Sequence, residues 1–111
     1  MKARFKQKVE YQGTDMTIGK TYEVLGIEAD DYRIINDINI PYLYSPDQFE
    51  VVDSKEPEFW FTFYGDDGER YSYPEAWNHA GFFEDFFDGV EAAVTRFWSD
   101  CERLFNIDKS V

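Results

Sequence analysis

Apolar and polar residues alternate in short runs over the first half of the chain and recur at helical spacing near its end. Residues 5–11 alternate loosely, which predicts a strand broken by Gln12, Gly13, Thr14 and Asp15. Residues 21–27 and 32–35 are rich in β-branched and aromatic side chains and predict two further strands, with the polar run 28–31 as the hairpin turn between them. Asn36 and Asp37 end the second of these. Residues 41–44 restart the strand pattern, 45–48 suggest one helical turn opened by Pro46, and 49–52 make a last strand.

After the polar, proline-containing link 54–58 the pattern changes to a hairpin and then helices. Residues 59–64 and 69–73 read as strands, joined by a turn at 65–68 that carries an Asp-Gly signal. Pro74 suits the first position of a short helix and Gly81 its end. In 82–87 the phenylalanines fall at i, i+1, i+4 and i+5, which gathers them on one side of a helix. Asp88 then predicts a helix start, with Glu91 placed to reach back. Val90, Ala93, Val94, Phe97, Trp98, Cys101, Leu104 and Phe105 follow at helical spacing and predict an amphipathic helix docked on the sheet.

Met16-Thr17-Ile18-Gly19-Lys20-Thr21-Tyr22-Glu23-Val24-Leu25 resembles the diverging-turn segment of SH3-like barrels, and residues 41–52 are similar to the strand, single 3₁₀ turn and final strand that close that fold. The resemblance spans residues 14–53 and implies a fold, not an activity. Paired tryptophans after the second strand and an Ala-Leu-Tyr-Asp-Tyr opening are both missing, so proline-rich ligand binding does not carry over. The expected class is α+β: an SH3-like small β-barrel in residues 1–53, then a β-hairpin and C-terminal amphipathic helices in residues 54–111, sharing one core.

Composition narrows the functions. The 111 residues carry 23 acidic against 11 basic side chains, a formal net charge of −12, which excludes binding nucleic acid by phosphate neutralisation and favours a cationic partner. A single cysteine, Cys101, allows no internal disulfide; it falls on the apolar stripe of the last helix, as a small core filler would. The basic N-terminus has no apolar run behind it and no stretch is long enough to span a membrane, so a cytoplasmic location is expected. His79 is the only histidine, leaving little for an imidazole metal site or a nucleophile triad. Asp66-Asp67-Gly68-Glu69 lacks the ligand spacing of an EF-hand loop, so no metal or cofactor is expected.

Between Asp53 and Glu91, eleven acidic residues face only Lys55 and Arg70. The same segment holds Tyr64, Tyr71, Tyr73 and Trp77, and aromatic anchors ringed by carboxylates suit a basic protein. The candidate contact residues are Asp66, Asp67, Glu69, Tyr71, Tyr73, Trp77, Glu84, Asp85 and Asp88. In size, acidity and lack of disulfides the chain resembles, in general character, small bacterial toxin-immunity proteins. The resemblance implies an antitoxin that occupies the nucleic-acid-binding site of a basic nuclease. Two alternatives stand beside it: a phage or mobile-element inhibitor that mimics nucleic acid toward a host defence enzyme, and a hydrolase using paired carboxylates. The last requires a pocket holding a carboxylate of raised pKa.

Overall fold

Alternation along the first strand, β1 (Lys2–Phe5), buries Ala3 and Phe5 and leaves Lys2 and Arg4 in solvent. The computed structural model describes residues 1–6 and 15–108. β1 lies between β2 (Thr21–Glu23) and β6 (Phe49–Asp53) in a three-stranded antiparallel sheet. A second antiparallel sheet has five strands in the order β5 (Pro41–Tyr44), β4 (Asp31–Ile35), β3 (Gly26–Glu28), β8 (Arg70–Pro74) and β7 (Trp60–Tyr64). Helices α1 (Phe82–Phe87) and α2 (Glu91–Phe105) complete an α+β fold. No helix among the described residues is long and apolar enough to cross a membrane.

Several elements depart from the sequence expectations. The first strand begins at Lys2 rather than Phe5; most of the expected 5–11 strand and its turn at 12–15 lie outside the described residues. The single strand expected over 21–27 divides at Val24 and Leu25. Both side chains are fully buried, yet they join different apolar clusters. The backbone passes between sheets at that point: Val24 N donates to the Met1 carbonyl and Leu25 N to the Arg33 carbonyl, both at 2.9 Å. The strands of residues 1–53 thus fall into two sheets, and no closed barrel forms among the described residues. Because β3, β4 and β5 share the larger sheet with β7 and β8, that sheet joins chain from both sides of residue 54.

Adjacent residues of β4 show how that sheet is used. Ile34 belongs to a cluster with Phe5, Val24, Ile27, Phe49 and Trp60, whereas Ile35 packs on a cluster built from Leu25, Tyr73, Trp77, Phe83 and Phe97. Neighbours on a strand point to opposite faces, so the five-stranded sheet has an apolar cluster on each side. The β3–β4 turn is two residues long, Ala29 and Asp30, with positive φ at both (48° and 71°), the primed geometry that matches strand twist. Gly26 is required by packing: a Cβ there would run into the Tyr73 ring across the β3–β8 pair.

The helical segment is shorter at its start than expected. Only Glu75–Trp77 form a 3₁₀ turn after Pro74, and Gly81 (φ 91°) precedes α1 rather than closing a helix. Asp88 ends α1 and does not cap α2, whose N-cap is Val90 without a side-chain hydrogen bond. Gly89 (φ 77°) turns the chain between the two helices, and this moves the N-cap of α2 two residues beyond Asp88, to Val90. Within α2, Ala93, Phe97 and Cys101 are buried at spacing i, i+4, i+8, and the left-handed Asn106 ends the helix with Ile107 N donating to the Cys101 carbonyl (3.1 Å).

Candidate functional site

The β7–β8 hairpin carries the most exposed aromatic surface of the described residues. Its turn is tied by Gly65 N donating to the Glu69 carbonyl (2.8 Å) and Gly68 N to the Gly65 carbonyl (3.0 Å), with Gly68 at φ 81°. β7 pairs with β8 alone among the described residues, so its other edge is open. The Gly65–Glu69 bond sets the two-residue alternation, which leaves the backbone groups of Thr62 and Tyr64 facing away from β8. Phe61, Phe63 and Tyr64 are 56%, 49% and 66% exposed. Phe63 stacks on Tyr71 of β8, centroids 4.9 Å apart and rings 9° from parallel.

Carboxylates surround this strand. Asp66 and Asp67 are exposed at the hairpin tip, and Glu58 is exposed just before β7. Glu69 turns back on the hairpin, accepting from Asp67 N (3.0 Å). The nearby cation is already engaged: Arg70 makes a two-pronged ion pair with Glu56, and those hydrogen bonds hold the Glu56 carboxyl below its usual range. The edge therefore presents aromatic rings in a negative field.

Trp77 and Tyr73 correct the sequence reading. They are 1% and 2% exposed and sit within the helix-side cluster, so neither ring is available to a partner at the surface. Trp77 packs against Phe97 (4.8 Å between centroids) and donates its indole N–H to Asp100 Oδ2 (3.0 Å). Asp100, buried on the inner face of α2, also accepts from Arg96 Nε and Arg103 Nη2, each at 2.8 Å. Burial alone would push its carboxyl up, but these hydrogen bonds outweigh it and hold the group below the usual range. Cys101, next to it, is buried and its thiol is pushed up by that burial.

A cavity of about 350 Å³ opens beside the hairpin, walled by Phe63, Tyr71, Tyr73, Trp77, Glu28 and Glu84, with residues 78–81 closing one side. Below it lies a buried network. Arg33, 4% exposed, donates to the Tyr73 hydroxyl (2.9 Å), the Pro41 carbonyl (2.9 Å) and Glu28 Oε1 (2.8 Å), and its guanidinium carbon lies 3.8 Å from the centroid of the Phe83 ring. Tyr73 also donates to Glu28 Oε1 (2.9 Å), and burial pushes the Tyr73 hydroxyl well above its ordinary range.

The expected contact residues are therefore scattered. Tyr71 and Glu84 meet at the cavity, where Tyr73 and Trp77 supply its buried wall. Asp66 and Asp67 stand at the hairpin tip outside it, and Asp85 borders a different, shallow depression with Arg96. Asp88, exposed at the end of α1, joins Glu84, Phe87 and Arg33 in a third depression. Sequence reasoning missed Phe61, Phe63, Glu28 and Arg33. The alternation of Phe61 and Phe63 was a signal for a strand with one aromatic face; the place of Glu28 depends on the long-range β3–β8 pairing and has no local signature.

For the hydrolase alternative, a carboxyl that stands above its ordinary range is that of Asp31, raised by burial and then by the charges of Asp30 and Glu28. It is not among the residues lining the cavity. No group of three or more metal-ligating side chains occurs among the described residues. Comparison with protein-family models, curated proteins and solved structures gives no match for this chain.

Proposed function

We propose that the protein is an immunity protein, an antitoxin that binds a basic nuclease-type toxin in the cytoplasm and occupies its nucleic-acid-binding site. The observation that carries this reading is the open β7 edge, with Phe61, Phe63 and Tyr64 exposed between the carboxylates of Glu58, Asp66 and Asp67. Chains that act alone usually protect a flat apolar edge with charge, proline or a covering element, because its unpaired backbone groups are a template for another strand. Here the central residues of β7 are aromatic or threonine. The rings give buried contact area and the surrounding negative charge gives fast encounter and register with a basic surface.

In this reading the anchors are Phe61, Phe63 and Tyr64, with Tyr71 behind them, and Asp66, Asp67, Glu69 and Glu84 supply the steering charge. The proposal extends to residues 14–53, read as an SH3-like half. Its support is the single 3₁₀ turn, Pro46–Gln48, before β6.

The test is capture of partners from lysate of the source strain at low and at moderate salt, followed by a cleavage assay of the recovered nuclease with added protein. Stoichiometric inhibition that survives moderate salt and weakens with Phe63→Ala or Asp66→Lys is expected. Recovery only of many basic proteins that all wash off would favour the nucleic-acid mimic instead. A recovered nuclease that is not inhibited would overturn the antitoxin reading.

A further inference from the structure

We infer that the cavity beside the β7–β8 hairpin is a seat for the guanidinium of an arginine contributed by the partner; this deepens the proposed function and rests on it. At about 350 Å³ the cavity is at the small end of ligand pockets. Its walls are of two kinds. Phe63 and Tyr71 offer aromatic surface, and Glu28 and Glu84 bring carboxylates to the same space. An anion is repelled there, and an uncharged apolar group would desolvate the carboxylates without compensation. A cation that is also flat satisfies both kinds of wall, because guanidinium stacks on rings and forks onto carboxylate oxygens, which an ammonium does less well.

The molecule already makes this arrangement once, with its own arginine. Arg33 lies over the Phe83 ring and holds Glu28 Oε1 and the Tyr73 hydroxyl. Glu28 Oε1 accepts from both Arg33 and Tyr73, while Oε2 has no hydrogen-bond partner among the described residues. Arg33 offsets the charge of Glu28, so the uncompensated charge around the cavity comes from Glu84 on its wall and from Glu69, 3.5 Å from the Tyr71 hydroxyl. The local field still favours a cation.

Position relative to the open edge identifies the source of that cation. Phe63 is at once a residue of the edge strand and a wall of the cavity. A partner segment laid along β7 would send every second side chain to the face on which Phe61 and Phe63 stand, so an arginine beside Phe63 reaches the cavity. A second copy of this chain is disfavoured as occupant by the net charge of −12 on each.

The test uses the full chain and does not need the partner. Acetyl-arginine methylamide and its uncharged counterpart, acetyl-citrulline methylamide, are titrated into labelled protein at physiological salt while amide shifts are followed by NMR. The arginine probe is expected to give saturable shifts at Phe63, Tyr71, residues 78–81 and Glu84, with citrulline at least about five-fold weaker. Glu84→Gln, an exposed substitution that leaves the fold intact, should weaken the arginine probe by about three- to five-fold. Equal response to both probes, or shifts spread without saturation over all acidic surfaces, would overturn the assignment. If the probe fails while a nuclease is still inhibited, the arginine seat is wrong and the antitoxin reading stands; if the probe binds as described but no partner is inhibited, the reverse holds.

Discussion

Trp77 and Phe63 lie in the same aromatic-rich half of the chain and border the same cavity, yet one is 1% exposed and the other 49%. Around Trp77 three separate elements converge. α1 supplies Phe82 and Phe83, α2 supplies Phe97, and β8 supplies Tyr73, while Asp100 satisfies the indole N–H. Around Phe63 only Tyr71 provides a stacked ring, and no strand lies beyond β7 among the described residues. The contrast teaches that aromatic content alone does not locate an interface. What matters is whether a covering element is present on the far side of the strand.

Substitutions on the two sides should separate stability from binding. The largest effect is expected at Trp77→Ala, which empties a fully buried site and should cost about 3–5 kcal/mol by urea denaturation. A folded Trp77→Ala protein that keeps its stability but loses its partner would break the comparison. Asp100→Ala strands the Trp77 indole and frees Arg96 and Arg103, for an expected loss of about 1–3 kcal/mol.

The Asp100 carboxyl also has a pH signature. Its folded pKa lies below the unfolded value of about 3.9, so its stabilisation is fully present above that pH and is lost as pH falls through the lower, folded value. Denaturation followed down to pH 2 should show this component in the native chain and lack it in Asp100→Asn.

Phe63→Ala should do the opposite of Trp77→Ala. Its half-exposed ring contributes under about 1 kcal/mol to folding, whereas affinity for the partner should fall by about 2 kcal/mol, as at an interface anchor. The smallest effect is a gain. Ala29 carries a positive φ in the β3–β4 turn, and Ala29→Asn should raise stability by about 0.5–1 kcal/mol, seen as a higher urea midpoint at unchanged slope.

Local signals made part of the structure legible. The hairpin turn at 65–68, the 3₁₀ turn opened by Pro46 and the apolar stripe of α2 from Ala93 onward follow from turn chemistry and helical spacing, whereas Val90, expected on that stripe, is the exposed N-cap. Features set by distant pairing were not legible. The break at Val24 and Leu25 arises because two buried neighbours serve different clusters, and Trp77 is covered by helices that begin after it in the chain. Asp100 sits on a face that the spacing marks as apolar, and its burial is explained only by three partners, two of them one turn away on the same helix. Of the candidate contact residues, the acidic positions could be read off the sequence but not grouped, because the packing of Phe83 in α1 on Tyr73 in β8 decides that Glu84 reaches the cavity while Asp66 and Asp67 stay at the hairpin tip.

The most direct test of the account is amide hydrogen exchange of the full chain with and without the proposed nuclease partner. Selective protection of the Thr62 and Tyr64 amides, which face the open edge, is expected, with β1 and β6 unchanged. Protection at β1 and β6 with β7 unaffected would contradict it.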